Sequence, residues 1–322
     1  LETMLTAQEQ GGTLQATIQA LTAEVEALIL VRRRSLLVDS SPPMVSSRYV
    51  SQFSSELWDA VGEGLTMIAW PDSRFFAQQG WIVVLQGVLV VVVMLVVSRH
   101  RTVLNDSERW RFLATRPLSA GVFFGTIATI FVYEYEGAPE TVSLVNTMIA
   151  GLAFVRLSGG LLDTSWKRQG VAGVMLVLIV TRLLYVVSLP LPLFRLYILV
   201  AALLGLIFCV RWAKASRRDQ DAGLYPWALR GGALVFAVII LAELWGKEAL
   251  TAYLFVSLID SLATVLVVLL FMFLIRGGLE WLIRISPLRQ AAVLHHEETE
   301  TLIRQLARFM NLLIWGLVVL PA

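Results

Sequence analysis

The stretch that decides the fold is Trp81–Val97, which reads WIVVLQGVLVVVVMLVV and is followed at once by Ser98-Arg99-His100-Arg101. Gln86 is its single polar side chain. A helix needs roughly 20 apolar residues to cross the hydrocarbon core, and in lipid each backbone polar group must be satisfied within the segment. The sequence therefore predicts a membrane-spanning helix here, with basic residues at one end.

Similar apolar runs recur along the rest of the chain. We predict spans at residues 81–97, 117–134, 142–157, 170–187, 191–210, 226–243, 251–275 and 306–322, the last of them incomplete. The composition agrees, since 57% of the residues are hydrophobic and 16% are charged, whereas soluble domains carry about 25% charged residues. The predicted fold class is all-α: a polytopic transmembrane helical bundle preceded by an extracytoplasmic helical segment.

Basic residues set the predicted orientation of these spans. Seventeen Arg and Lys residues lie in every second connection, against Lys247 and Arg195 on the opposite side. Lys and Arg near span ends are retained in the cytoplasm. We therefore expect the following connections to be cytoplasmic: 98–116, 156–168, 211–218 and 276–308. Residues 1–80 would then be periplasmic, and the protein would lie in a bacterial inner membrane.

Residues 1–80 are predicted to form the C-terminal part of a water-exposed helical domain. A first apolar stripe has the 4-3-4-3 spacing of a helical seam. Its members are Leu14, Ile18, Leu21, Val25 and Leu28. Packing within the same chain is favoured over a coiled-coil oligomer, because two to three heptads are few. A second stripe ends at Trp70-Pro71-Asp72. Its members are Phe53, Leu57, Val61, Leu65 and Ile68.

The end of the chain is predicted to leave and re-enter the membrane. Arg276-Gly277-Gly278 is expected to interrupt the helix of span 251–275. Residues 276–305 would form a cytoplasmic amphipathic linker, either a short interfacial helix or an ordinary loop. Residues 306–322 would begin an eighth span. Since the chain starts at Leu1 and stops in or just after an apolar run, we expect it to be a piece of a longer protein.

Few residues point to chemistry. His296 and Glu300 have the spacing of two metal ligands on one helix face, but adjacent His295 points elsewhere, so a solvated linker is favoured over a metal site. We find no Gly-rich phosphate loop and no nucleophile with a nearby base, and the single Cys209 excludes an internal disulfide. Basic residues spread over four connections argue against nucleic-acid binding. We therefore expect no enzyme, cofactor or metal.

Ionisable residues within spans are the remaining candidates. Asp260 lies near the middle of its span, and we predict a polar contact with a neighbouring helix, favoured over a proton or ion relay. Arg182 and Arg195 flank a short outer turn and can reach lipid headgroups or hold the turn itself. The predicted lipid-interface residues, which would bind anionic headgroups, are Arg99, Arg101, Arg109, Arg111, Arg182, Arg195, Arg211, Arg217 and Arg284.

Three strings carry a resemblance to a known family. They are SERWRFLATRP at 107–117, RISPLR at 284–289 and WGLVVLP at 315–321. Together with an outer helical domain and many spans, they resemble the amino-terminal extension of the potassium-regulated type of MscS-like (small-conductance) mechanosensitive channels. The resemblance implies that residues 81–275 form a sensor paddle in a homo-oligomer, usually a heptamer. It also implies an osmotic safety valve opened by membrane tension, with permeant ions passing through a pore outside this chain.

Two other functions stay open at this stage. A secondary transporter or carrier subunit predicts broken helices at matching positions of two repeats, and the spans before and after Leu191 do not match. A membrane-embedded lipid-modifying enzyme needs His, Asp or Ser groups at headgroup level. Only His100 and the pair at 295–296 offer such groups, and neither has a suitable constellation.

Overall fold

The computed structural model describes residues 41–106, 110–132, 139–162, 164–218 and 225–285. Within these ranges every regular element is a helix and there is no strand. The helices are α1 Ser47–Val50, α2 Ser55–Thr66, α3 Ser73–Arg99, α4 Arg101–Asp106, α5 Arg111–Thr115, α6 Pro117–Val132, α7 Glu140–Ser158, α8 Ser165–Val186, α9 Leu191–Arg218, α10 Tyr225–Leu244 and α11 Glu248–Ile285.

Six of these helices are long and apolar enough to cross a membrane: α3, α7, α8, α9, α10 and α11. Helix α6 covers the described part of the predicted span 117–134, and its apolar part, Pro117–Ile130, is shorter than those of the six. The chain is therefore an all-helical, multi-pass membrane protein, which confirms the predicted fold class. The eighth predicted span, the stripe within residues 1–40 and the predicted linker beyond Ile285 lie outside the described residues. The periplasmic placement of residues 1–80 stays a prediction.

Helix α3 begins earlier than its apolar run. The carboxylate of Asp72 accepts a hydrogen bond from the backbone N–H of Phe75 at 2.8 Å, which caps the helix at Ser73. Such a cap satisfies one of the free N–H groups in the first turn. The second predicted stripe forms α2, Ser55–Thr66, so Phe53 and Ile68 lie outside the helix.

The predicted interruption at Gly277-Gly278 is wrong, because α11 continues through both glycines to Ile285. The indole of Trp110 donates from Nε1 to the carbonyl oxygen of Leu274 at 3.3 Å. A Cβ at position 277 would collide with that indole. The glycines therefore allow a close approach of an aromatic ring to the helix and do not end it.

The chain divides into two compact units. The first contains the described residues up to Asp59 together with Pro190–Val256, and here α9 packs against α10. The second contains Ala60–Leu189 together with the described residues from Ser257 onward. In the second unit α3 packs on α6, α6 on α7 and α7 on α8. Helices α2 and α11 contribute residues to both units.

The core of the second unit combines large buried side chains with a close helix contact. Buried members of its apolar cluster include Phe112, Phe123, Phe154, Leu157 and Met175. Helices α3 and α6 meet at Gly121-x-x-x-Gly125. A Cβ at Gly121 would lie 2.5 Å from the carbonyl oxygen of Val90, and one at Gly125 would lie 2.8 Å from its backbone nitrogen. Small residues at this spacing let membrane helices pack backbone to backbone.

Candidate functional site: two arginine–carboxylate pairs in the spans

The first pair joins Arg195 and Glu243 within the first unit. Arg195 lies in the second turn of α9, and Glu243 is the penultimate residue of α10. Arg195 Nε donates to Glu243 Oε1 at 2.5 Å, and the two side chains are only 2% and 0% exposed. A charge inside a membrane protein is costly unless it is paired. The two charges neutralise each other inside the protein.

Residues 41–50 complete the enclosure of this pair. Arg195 Nη1 donates to the carbonyl oxygen of Pro42 at 3.1 Å, and the guanidinium lies 5.2 Å from the centre of the Tyr49 ring. The Tyr49 hydroxyl donates to the carbonyl oxygen of Pro192 at 2.8 Å. The segment before α2 is thus fastened to α9 by both a charge and a hydroxyl.

The ionisation of Tyr49 follows from this position. Burial is the main reason that its pKa is raised above the ordinary value of 10.0. The Arg195 guanidinium opposes the rise, and the Glu243 carboxylate adds to it. The phenol is therefore neutral at physiological pH and acts as a hydrogen-bond donor.

The turn between α10 and α11 is shaped to receive the same segment. Gly246 has a φ of +78°, and its carbonyl oxygen accepts from the Ser41 backbone N–H at 2.9 Å. The Ser41 hydroxyl also donates to the Glu248 carboxylate. A Cβ at position 246 would collide with the carbonyl oxygen of Ser41. Both the backbone conformation and the close contact therefore require glycine.

The Glu243 carboxylate is hydrogen-bonded to Arg195 through only one of its two oxygens, Oε1. Its Oε2 atom is buried and has no hydrogen-bond partner among the described residues. A buried acceptor without a donor costs free energy. The fold therefore relies on Arg195 to make the burial of Glu243 tolerable, and the pair anchors residues 41–50 to α9 and α10.

The second pair joins Arg182 on α8 and Asp260 on α11 within the second unit. Arg182 Nη2 donates to both carboxylate oxygens of Asp260, at 3.0 and 3.1 Å. Their side chains are 46% and 40% exposed. Sequence analysis assigned Asp260 a polar contact on a neighbouring helix and Arg182 a lipid headgroup. The structure brings these two residues to each other.

Arg195 is placed differently from its predicted role. A headgroup contact requires an accessible guanidinium, and the structure encloses this one with Glu243 and Pro42. We correct the assignment of Arg195 accordingly. Sequence reasoning overlooked Glu243, although an acidic residue inside the span 226–243 is itself a signal of a buried partner.

The structure describes the side chains of some of the other predicted interface arginines. Arg99, Arg101, Arg111 and Arg211 have exposed side chains. Arg217 and Arg284 lie in α9 and α11 respectively, and only their helix positions are described; Arg109 falls outside the described residues. Headgroup binding by these residues stays a prediction.

The described ranges contain no group of three or more His, Cys, Asp or Glu side chains that could hold a metal ion. His295, His296 and Glu300 lie outside those ranges. No protein-family model, curated protein or solved structure matches this chain. The resemblance to MscS-like channels therefore rests on the sequence strings and the predicted order of domains and spans.

Proposed function

We propose that this chain is the lipid-contacting periphery of a tension-gated ion channel, with the pore formed by sequence outside it. The supporting observation is how little of α3 is covered by the residues that the structure describes. Only 11% of its most apolar window is buried, compared with 50% for α7. The uncovered face is a row of aliphatic side chains: Val84, Val88, Val91, Val92 and Leu95. A surface of this kind fits contact with lipid or with a membrane-embedded neighbour.

Membrane tension acts on a protein through its area in the plane of the bilayer. A tension favours whichever state occupies the larger area, by the product of tension and area difference. A subunit with many lipid-exposed helices gives that force a large perimeter on which to act. In the proposed protein, copies of this chain surround a common pore as a homo-oligomer, a heptamer by the family resemblance.

Exposed arginines at the ends of the spans add an electrostatic contact with lipid. Arg99 is the last residue of α3, Arg101 begins α4 and Arg111 begins α5, and all three side chains are exposed. Near an anionic leaflet each Arg contributes about 1 kcal/mol of attraction. In the proposal these residues lie at the cytoplasmic leaflet of a bacterial inner membrane, and residues 1–80 lie in the periplasm.

The first test applies suction to liposome patches that contain the full-length protein to which this chain belongs. We expect channel openings under suction with no substrate added. Deleting residues 1–275 is expected to leave the unitary conductance similar and to shift the tension threshold, because lipid contact changes while the pore wall does not. Absence of current under suction, or a several-fold change in unitary conductance, would contradict the proposal. Substrate-dependent flux without tension would favour a secondary transporter.

The second test isolates the arginines. A triple variant, Arg99→Gln, Arg101→Gln and Arg111→Gln, is expected to shift the threshold in vesicles rich in anionic lipid and not in zwitterionic vesicles. The shift should shrink at high salt, since attraction to a charged surface is screened within about 10 Å at 0.1 M. Arg48→Gln is the matched control, because Arg48 is exposed on α1 and lies outside the spans. An equal shift in both lipid mixtures would remove the electrostatic explanation.

A further inference from the structure

The second unit contains an elongated apolar groove of about 430 Å³ between α3, α6 and α7. One end of the groove is lined by Trp70 and Pro71, just before α3 begins. Its far end is formed by Val90 of α3 and Ile149 of α7. All of these residues belong to the second unit, and two of the helices that form the groove, α3 and α7, are candidate membrane spans.

The length of the groove matches one leaflet of a bilayer. Phe75 and Val90 both line it on α3, and this separation corresponds to about 22 Å at 1.5 Å per residue. Half of a hydrocarbon core is about 15 Å thick, and the interface adds several more. Trp70, which lines the groove just before α3 begins, is exposed, and tryptophan side chains prefer the headgroup level of a bilayer. The groove therefore runs from an interface toward the middle of the membrane.

The polar side chains in the groove have hydrogen-bond partners within the protein, and the Thr141 hydroxyl donates to the carbonyl oxygen of Ala69 at 2.7 Å. Gln86 Nε2 donates to Thr126 Oγ1 at 3.1 Å and to Asn146 Oδ1 at 3.2 Å. The remaining lining is almost entirely apolar. Water is held in a cavity only where it finds two to four polar partners. The site therefore favours an occupant that brings no hydrogen-bonding groups.

An unfilled apolar volume of this size is unfavourable. Its lining atoms lose dispersion contacts, and the cost rises with the volume left empty. In a bilayer the material beside the groove is lipid hydrocarbon. No hydrophobic driving force is needed for a lipid chain to enter, because filling the void restores the lost contacts.

We propose that this groove binds one acyl chain of a phospholipid from the leaflet that contains the N-terminal end of α3. The proposal is independent of channel function, since it requires only that α3, α6 and α7 lie in a bilayer. The other plausible occupant is an apolar helix from a second copy of the chain, and the test below separates the two.

Gly87 provides a direct way to fill the groove. It lines the groove, and a Cβ built there would have no heavy atom within 4 Å. The first atom of a side chain at position 87 is therefore accommodated without a clash, and Gly87→Leu directs an apolar side chain into this space. A Cβ built at Gly173 on α8 also has no heavy atom within 4 Å, and Gly173 does not line the groove. Gly173→Leu is thus a matched control in the same unit.

The experiment reconstitutes the chain in phosphatidylcholine vesicles with a trace of phosphatidylcholine carrying a diazirine in the middle of one acyl chain. After illumination, labelled residues are identified by mass spectrometry. We expect labelling at Val90 and Val122, which are half-buried groove-wall residues, as well as at the exposed Val84 and Val92. Gly87→Leu should reduce groove-wall labelling roughly tenfold, equivalent to about 1.4 kcal/mol. Labelling at Val84 and Val92 should be unchanged, and Gly173→Leu should behave as the wild type.

A second variant guards against a folding artefact. Val145→Phe enters the same groove from α7 and should reduce the same labels, while circular dichroism and size-exclusion profiles match those of the wild type. Undiminished groove-wall labelling in both folded variants would overturn the proposal, as would absence of such labelling in the wild type. Disulfide-linked dimers of Gly87→Cys in a Cys209→Ser background would show that a second copy occupies the groove, which also overturns it.

Discussion

The two arginine–carboxylate pairs have the same chemistry and opposite surroundings. In the first unit, Arg195 and Glu243 are sealed by the protein, which supplies the Pro42 carbonyl and the Tyr49 ring as further contacts. In the second unit, nearly half of each side chain in the pair of Arg182 and Asp260 is accessible. Whatever adjoins that pair, whether water, headgroups or another subunit, determines how strongly its charges interact.

This difference separates an anchor from an adjustable contact. A sealed pair contributes little net stability as a pair, but removing one partner leaves an uncompensated buried charge. A pair in contact with water contributes little in either sense, whereas a pair in contact with hydrocarbon is costly to break. The sealed pair also fastens residues 41–50 to the ends of α9 and α10, so its loss affects three segments at once.

The largest expected effect comes from removing the sealed cation. Arg195→Met should lower the free energy of unfolding by about 3–5 kcal/mol, because Glu243 is left charged and buried. The matched change at the exposed pair, Arg182→Met, should cost about 0–1 kcal/mol where water reaches Asp260 in the micelle, and more where detergent hydrocarbon covers it. Both values are measured by denaturant titration of the protein in mixed detergent micelles.

Similar losses at the two positions would contradict this comparison, and would indicate that the second pair is also enclosed in the protein as it exists in micelles. The double variant Arg195→Met, Glu243→Leu sharpens the result. It should recover much of the loss, because no unpaired charge stays buried.

The sequence predicted the spans well because a span is a local property. Each apolar run is long enough to specify a helix by itself, and six of the predicted runs became helices of membrane-crossing length. The start of α3 was predicted less well. The helix extends back to Ser73 because of the Asp72 cap, a signal that lies outside the apolar run.

The ion-pair partners of the charged residues could not be predicted from the neighbouring sequence. Glu243 lies 48 residues after Arg195, and Asp260 lies 78 residues after Arg182. A basic residue near a span end looks the same in sequence whether it reaches a headgroup or a buried carboxylate. The same limit applies to Gly277-Gly278, because the close approach of the Trp110 indole to these glycines joins residues far apart in sequence. By contrast, Gly121-x-x-x-Gly125 is a recognisable spacing that sequence reasoning missed.

A smaller effect is expected where the turn before α11 receives Ser41. Gly246→Ala should destabilise the protein by roughly 1–2 kcal/mol from the left-handed backbone alone, and the collision with Ser41 adds to this. Gly231→Ala on α10 is the control, because a Cβ there meets no atom within 4 Å. That change should be neutral or stabilising by about 0.5–1 kcal/mol, since glycine weakens a helix interior. Equal effects would indicate that residue 246 does not have the left-handed backbone conformation, and a loss no greater than about 1–2 kcal/mol would indicate that Ser41 does not pack against it.

The smallest effect concerns the Tyr49 hydroxyl, which ties the same segment to Pro192. Tyr49→Phe keeps the ring beside Arg195 and removes one hydrogen bond, so the expected loss at neutral pH is about 0.5–1.5 kcal/mol. The exposed Tyr253 of α11 provides the control Tyr253→Phe, which should change the free energy of unfolding by less.

The pH dependence tests whether the phenol is buried as the structure describes. Because the pKa of Tyr49 is raised above 10.0 in the folded state, the unfolded chain loses the phenolic proton first as pH rises. Between the unfolded and folded pKa values the unfolded state binds fewer protons, so the free energy of unfolding falls with pH, by at most about 1.4 kcal/mol per pH unit. The excess in free energy of unfolding of the wild type over Tyr49→Phe should therefore be constant below pH 10.0 and decline above it.

Denaturant titrations from about pH 8 to about pH 11 measure this difference directly. A constant difference across that range would show that the Tyr49 phenol ionises as readily in the folded protein as in the unfolded chain, and the sealed environment assigned to the first pair would be wrong.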